Sequence, residues 1–158
     1  NNQKYLNGRI KMNSEYENIY KNIAETIWSM MPTEAEKYVV QCEIIDSSAR
    51  RSMFWVTHDG IRMDYNFDNY PEEKESEILH YLQELRKLMT TLGSDWNQCE
   101  FVLNENGKFN IKFAYIPEED SWGSLYLRGI SDLTLKEAEE HNIPREIWEE
   151  RVKAKKEQ

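Results

Sequence analysis

The sequence predicts an α+β domain: an antiparallel sheet of about five strands with its long helices packed on one face. Three observations carry that prediction. Two long stretches place apolar residues at helical spacing, the segments after each alternate with period two, and short turn signals join those segments so that neighbours run antiparallel. The expected order is helix, three strands, helix, β-hairpin and two short C-terminal helices.

Residues 1–11 are polar and aperiodic, and a helical pattern begins almost at once after Met12. Met12 therefore reads as the natural start, with residues 1–11 a leader segment and 12–158 one domain. Ser14 and Glu17 have capping-box spacing, and Tyr16, Ile19, Tyr20, Ile23, Ile27, Met30 and Met31 form one stripe until Pro32 stops it. Tyr38, Val40, Cys42 and Ile44 then make the more apolar side of a first strand. A turn over Asp46–Arg51 leads to a second strand, Ser52–Thr57. Its Met53, Phe54, Trp55 and Val56 are apolar on both sides, so it lies centrally or is covered twice. After the turn His58-Asp59-Gly60, residues Ile61, Met63, Tyr65 and Phe67 alternate with Arg62, Asp64, Asn66 and Asp68, which predicts an amphipathic third strand.

Asn69-Tyr70-Pro71 breaks that strand, and Glu72–Leu92 is a second long helix with carboxylates where its N-terminal dipole favours them. Ile78, Tyr81, Leu82, Leu85, Leu88, Met89 and Leu92 form its apolar stripe, and Gly93 closes it. A hairpin follows within Trp96–Tyr115. A three-residue loop Glu105-Asn106-Gly107 pairs Leu103, Phe101 and Cys99 with Phe109, Ile111 and Phe113, and Glu100 with Lys112. A two-residue Asn106-Gly107 turn would set Phe113 against Glu100, so the three-residue register is preferred. Beyond Pro117 the chain is irregular through Gly129. Thr134 and Glu137 then repeat the capping-box spacing at the head of a short helix ending near Asn142. Pro144 suits the start of a last helix, Arg145–Lys155, with Ile147, Trp148 and Val152 inward and a frayed tail from Lys153.

A chain of 158 residues is long enough for one domain with a real core. Its 39% hydrophobic residues, with nine Tyr and five Trp, argue for a folded globule. A formal net charge of −9 repels phosphate backbones and anionic lipid surfaces, which points away from direct nucleic-acid or membrane binding and towards a basic protein partner. No window approaches the roughly 18 apolar residues of a membrane span, and the expected location is cytoplasmic. Cys42 and Cys99 fall within strands on apolar faces and read as buried, reduced thiols.

Catalytic constellations are sparse. His58-Asp59 resembles paired metal ligands, and Asp64 and Asp68 share one strand face, so His58, Asp59 and Asp64 are the best candidates for a small metal-dependent hydrolase. A surface turn and a solvated strand face explain the same residues. The six glycines are scattered and form no phosphate-binding loop, so no cofactor is expected. The run Glu118-Glu119-Asp120, flanked by Tyr115 and Trp122, reads either as a solvated loop or as a protein-binding epitope, since carboxylates answer Arg and Lys while rigid aromatics anchor.

Tyr20-Lys21-Asn22-Ile23-Ala24-Glu25-Thr26-Ile27, closing with Met30-Met31-Pro32, and Gly107-Lys108-Phe109-Asn110-Ile111, with Ile143-Pro144 and then Trp148-Glu149, carry a resemblance. Together they resemble the YezG-like family of bacterial antitoxins, immunity proteins encoded beside polymorphic toxins. The resemblance spans Met12 to about Lys153 and includes the order of elements. It implies a small cytoplasmic protein, not an enzyme, that binds and neutralises the C-terminal domain of a cognate toxin, often a nuclease. Ile116–Trp122 and Leu125–Leu135 depart from the family's pattern, so no partner-binding residue carries over. The residues themselves nominate Glu118, Glu119, Asp120 and Trp122 as partner-binding, with Asp68 and Tyr70 behind them. The other classes are the metal-dependent hydrolase and an adaptor that self-associates, as a homodimer, through exposed sheet edges.

Overall fold

The structure, a computed structural model, describes residues 10–46 and 48–158. Helix α1 (Ile10–Met30) leads into strands β1 (Ala35–Ile45), β2 (Ser48–Thr57) and β3 (Arg62–Asp64). Helix α2 (Glu72–Thr91) follows, then the hairpin β4 (Gln98–Asn104) and β5 (Phe109–Ala114), and α3 (Leu135–Glu140) and α4 (Arg145–Lys156) come last. Short 3-10 turns lie at Phe67–Asn69, Glu118–Asp120 and Ile130–Asp132. The sheet has five strands in the order β3-β2-β1-β4-β5, and every neighbouring pair is antiparallel. The predicted α+β class is the observed one.

One hydrophobic core lies between the sheet and the two long helices. Tyr16, Ile23 and Ile27 of α1 and Ile78, Leu82, Leu85 and Met89 of α2 are buried against Tyr38, Val40, Cys42 and Ile44 of β1. That is the apolar side read from alternation. Each such aliphatic side chain removed from water stabilises the fold by about 1.5–3 kcal/mol. The amide of Ser94 donates to the Met89 carbonyl and that of Gly93 to Thr90, with Gly93 at φ 85°, so α2 ends in a Schellman motif. The hairpin register is the expected one: Leu103 faces Phe109, Phe101 faces Ile111, Cys99 faces Phe113 and Glu100 faces Lys112. Gly107, at φ 83°, supplies the left-handed residue that the loop needs.

Four expectations change. Helix α1 is already helical at Ile10, so Ser14 lies inside it and not at its cap. Residues 1–9 of the expected leader lie outside the described residues. Strand β2 starts at Ser48, the partner of Ile45, not at Ser52, because the chain reverses immediately after β1. Strand β3 shrinks to three residues, all exposed. Alternation there is genuine, but among the described residues no element covers the apolar side: Ile61, Met63 and Phe67 are exposed. Tyr65 instead turns inward, its hydroxyl 2.7 Å from that of Tyr38 and its ring edge-on to Trp55, and the strand ends there. Last, α4 continues through Lys156.

A second, smaller core of Leu125, Ile130, Leu133, Ala138 and Ile143 is closed by Trp122, Ile147 and Trp148. Thr134 and Glu137 exchange both hydrogen bonds of a capping box at the head of α3, as their spacing predicts. Among the described residues no helix is long and apolar enough to cross a membrane.

Candidate partner-binding surface

The segment that carries most of the nominated residues is pinned to the sheet by one polar row. Residues Glu43, Arg50 and Gln98 are cross-strand neighbours on β1, β2 and β4, on the face away from the long helices. The Glu43 carboxylate accepts from Arg50 Nε (3.1 Å), Gln98 Nε2 (2.7 Å) and Ser121 Oγ (2.7 Å). Burial alone would raise its pKa, but the hydrogen bonds from Ser121, Gln98 and Arg50 outweigh that and hold it below the usual carboxylate range. Arg50 also donates to the carbonyls of Gly123 and Leu125 and lies over the Tyr126 ring, 4.3 Å from its centroid. Gln98 accepts from the Leu127 amide at 2.6 Å. Asn97 adds a clamp, its side chain exchanging two hydrogen bonds with the backbone of Ile116.

The nominated residues separate on this scaffold. Glu118 and Glu119 project from the first two positions of their 3-10 turn into solvent. Asp120, the third, is buried and its carboxylate is spent internally: it accepts from the Ser131 amide (2.9 Å) and hydroxyl (2.6 Å) and pairs with Arg151 at 3.5 Å. Gly129 packs against it so closely that a Cβ there would lie 2.1 Å from Asp120 Oδ2. Trp122 donates to the His141 carbonyl and closes the smaller core. On the other side, Tyr70 is half-buried, its hydroxyl on Glu75, which also pairs with Arg51 at 2.6 Å. Asp68 is exposed beside Phe67, whose side chain is 99% exposed. Three nominated residues, Glu118, Glu119 and Asp68, thus offer free carboxylates, and three serve the fold.

The polar row was missed from the sequence, although a charge at Glu43 inside the apolar run Val39–Ile45 was a signal. It becomes readable only once β2 is started at Ser48, which brings Arg50 opposite. Phe67 was missed because alternation assigned it inward.

The hydrolase candidates do not converge. His58 Nε2 lies 2.6 Å from Glu105 Oε2, and that partner raises the imidazole pKa. Asp64 is held by the guanidinium of Arg62, at 3.0 Å from Nη2. Among the described residues no three His, Cys, Asp or Glu side chains are grouped as a metal site requires.

A family model described as immunity protein YezG-like matches residues 16–130, which runs from Tyr16 in α1 to Ile130, the first residue of the smaller core's 3-10 turn. No curated protein matches the chain.

Proposed function

Since the chain belongs to the YezG-like immunity protein family, we propose that it neutralises, by stoichiometric binding, the C-terminal nuclease domain of a cognate bacterial polymorphic toxin in the cytoplasm. The family match carries the immunity role. The net charge of −9 supports the choice of target, because a nuclease domain that grips phosphates is basic and an acidic inhibitor both speeds encounter and competes for its cleft. Glu118, Glu119 and Asp68 are the nominated carboxylates free to answer Arg and Lys on the toxin. Asp120 and Trp122 hold the loop that presents the first two, and Tyr70 supports the segment beside Asp68. Inhibition proceeds without catalysis and without a cofactor.

The test is co-expression of this chain with the C-terminal domain of the toxin encoded beside its gene. Wild-type chain is expected to restore growth and to form a complex of fixed stoichiometry whose association slows as salt rises. Glu118→Lys/Glu119→Lys is expected to slow association and flatten the salt dependence. If neutralisation and salt dependence are the same in that variant, the acidic loop is not part of the interface.

A further inference from the structure

The uncovered edge of the sheet is the second place where side chains stand without an internal role. At the start of this edge the Thr57 amide donates to the Ile61 carbonyl at 3.0 Å and the Ile61 amide donates to Thr57 Oγ1 at 3.2 Å, and Trp55 is the register partner of Met63. Ile61 and Met63 therefore turn their backbone groups towards β2, and alternation turns the N–H and C=O of Arg62 and Asp64 outward, away from the sheet. Along the same short stretch Ile61, Met63 and Phe67 are 56%, 39% and 99% exposed. Asp59, Asp64 and Asp68 are interleaved with them, all exposed. The cation on this strand, Arg62, is already engaged, held by Asp64 and lying 3.8 Å from the centroid of the Phe54 ring.

We propose that this edge is the anchor site for the toxin, and that its occupant is an extended basic segment of the toxin's C-terminal domain, lying along β3 with an apolar side chain against Phe67. This rests on the immunity reading above. Three features select that occupant. The outward backbone groups of Arg62 and Asp64 match one short stretch of added strand. A three-residue edge provides few ladder bonds, so affinity must come from side-chain anchors, and Phe67 is the largest and most exposed apolar side chain along this stretch. Asp59 and Asp68 select a basic segment, since Arg62 answers Asp64 and leaves the edge net acidic. They also disfavour a second copy of this chain, because a two-fold edge contact would bring the same carboxylates face to face.

Calorimetry and stopped-flow binding with the C-terminal domain of the toxin encoded beside this gene test it. Phe67→Ala is expected to weaken binding by roughly tenfold or more, chiefly through faster dissociation. Asp64→Arg/Asp68→Arg is expected to slow association and reduce its salt dependence. Circular dichroism and thermal unfolding should match wild type for Phe67→Ala, since that ring is almost wholly in solvent, which separates lost binding from lost folding. Amide exchange in the complex should slow at Arg62 and Asp64. If wild type binds and both variants bind within twofold of it, this surface is wrong while the immunity reading stands. If wild type neither binds nor neutralises the domain, the immunity reading itself fails. Sedimentation showing a wild-type dimer that Phe67→Ala dissolves would assign the edge to self-association and overturn the proposal.

Discussion

Replacing Glu43 by alanine should loosen the link between the sheet and the C-terminal segment. Glu43 is 5% exposed and accepts three hydrogen bonds, two from the neutral donors Gln98 and Ser121 and one from Arg50. Neutral bonds are worth about 1 kcal/mol each and a charge-assisted one about 1.5–3, so the gross loss is about 3.5–5 kcal/mol. The Arg50 side chain is 28% exposed and keeps the carbonyls of Gly123 and Leu125, so water and those partners return part of it. A net cost of about 3 kcal/mol follows, at the low edge of what stripping a partner from a buried ion pair costs. In a chain of this size that lowers Tm by roughly 6–12 °C. Urea unfolding followed by circular dichroism reads it. In a cycle with Arg50→Ala the two changes should couple by about 1–2 kcal/mol. The pH dependence has a definite sign. A folded pKa below the usual carboxylate range makes Glu43 stabilising above its unfolded pKa, and that stability disappears as pH falls through the folded value. The gap between wild type and Glu43→Ala should therefore hold steady from neutral pH down to the usual carboxylate range and narrow as pH falls further. A cost under about 1 kcal/mol, or a gap that ignores pH, would refute the view of this row as the main fastening.

Gly129→Ala places a Cβ 2.1 Å from the buried Asp120 carboxylate and should cost about 2 kcal/mol in thermal unfolding, with a cost under about 0.5 telling against the packing described. Thr134→Ala removes the hydroxyl arm of the α3 capping box, leaving the backbone amide of residue 134 to donate to Glu137, and should cost about 1 kcal/mol, while Thr134→Ser stays within a few tenths. Imidazole resonances followed by NMR should show His58 titrating above the ordinary histidine value and returning towards it in Glu105→Gln. The pair's contribution is present below the unfolded pKa and fades as pH rises through the folded one. An identical titration in both proteins would show that the contact does not form.

What could be read in advance was what local chemistry decides. The hairpin register followed from one glycine and from which pairs would share a face, and both conditions act within a dozen residues. The α3 cap was equally local. Strand β2 began four residues earlier than its apolar pattern because Ser48–Arg51 owes its strand state to pairing with β1 and to Glu43, not to any periodicity of its own. Strand β3 showed the reverse: the alternation from Ile61 to Phe67 was clear, yet burial needs an element to cover it. The acidic run looked uniform, but Ser131 and Arg151, remote in sequence, draw Asp120 inward and leave Glu118 and Glu119 outside.

Cys42 and Cys99 are register partners on adjacent strands, both free and almost wholly shielded from solvent, with the Cys99 thiol's pKa raised by its contact with Cys42 and by burial. They are the chain's two cysteines, so the native protein presents alkylating reagents with no accessible thiolate. Labelling can proceed only when β1 and β4 part, which makes the modification rate a clock for opening of the central sheet. If toxin binding braces that sheet, the clock slows, and engagement becomes measurable on the native cysteines without any substitution in the protein.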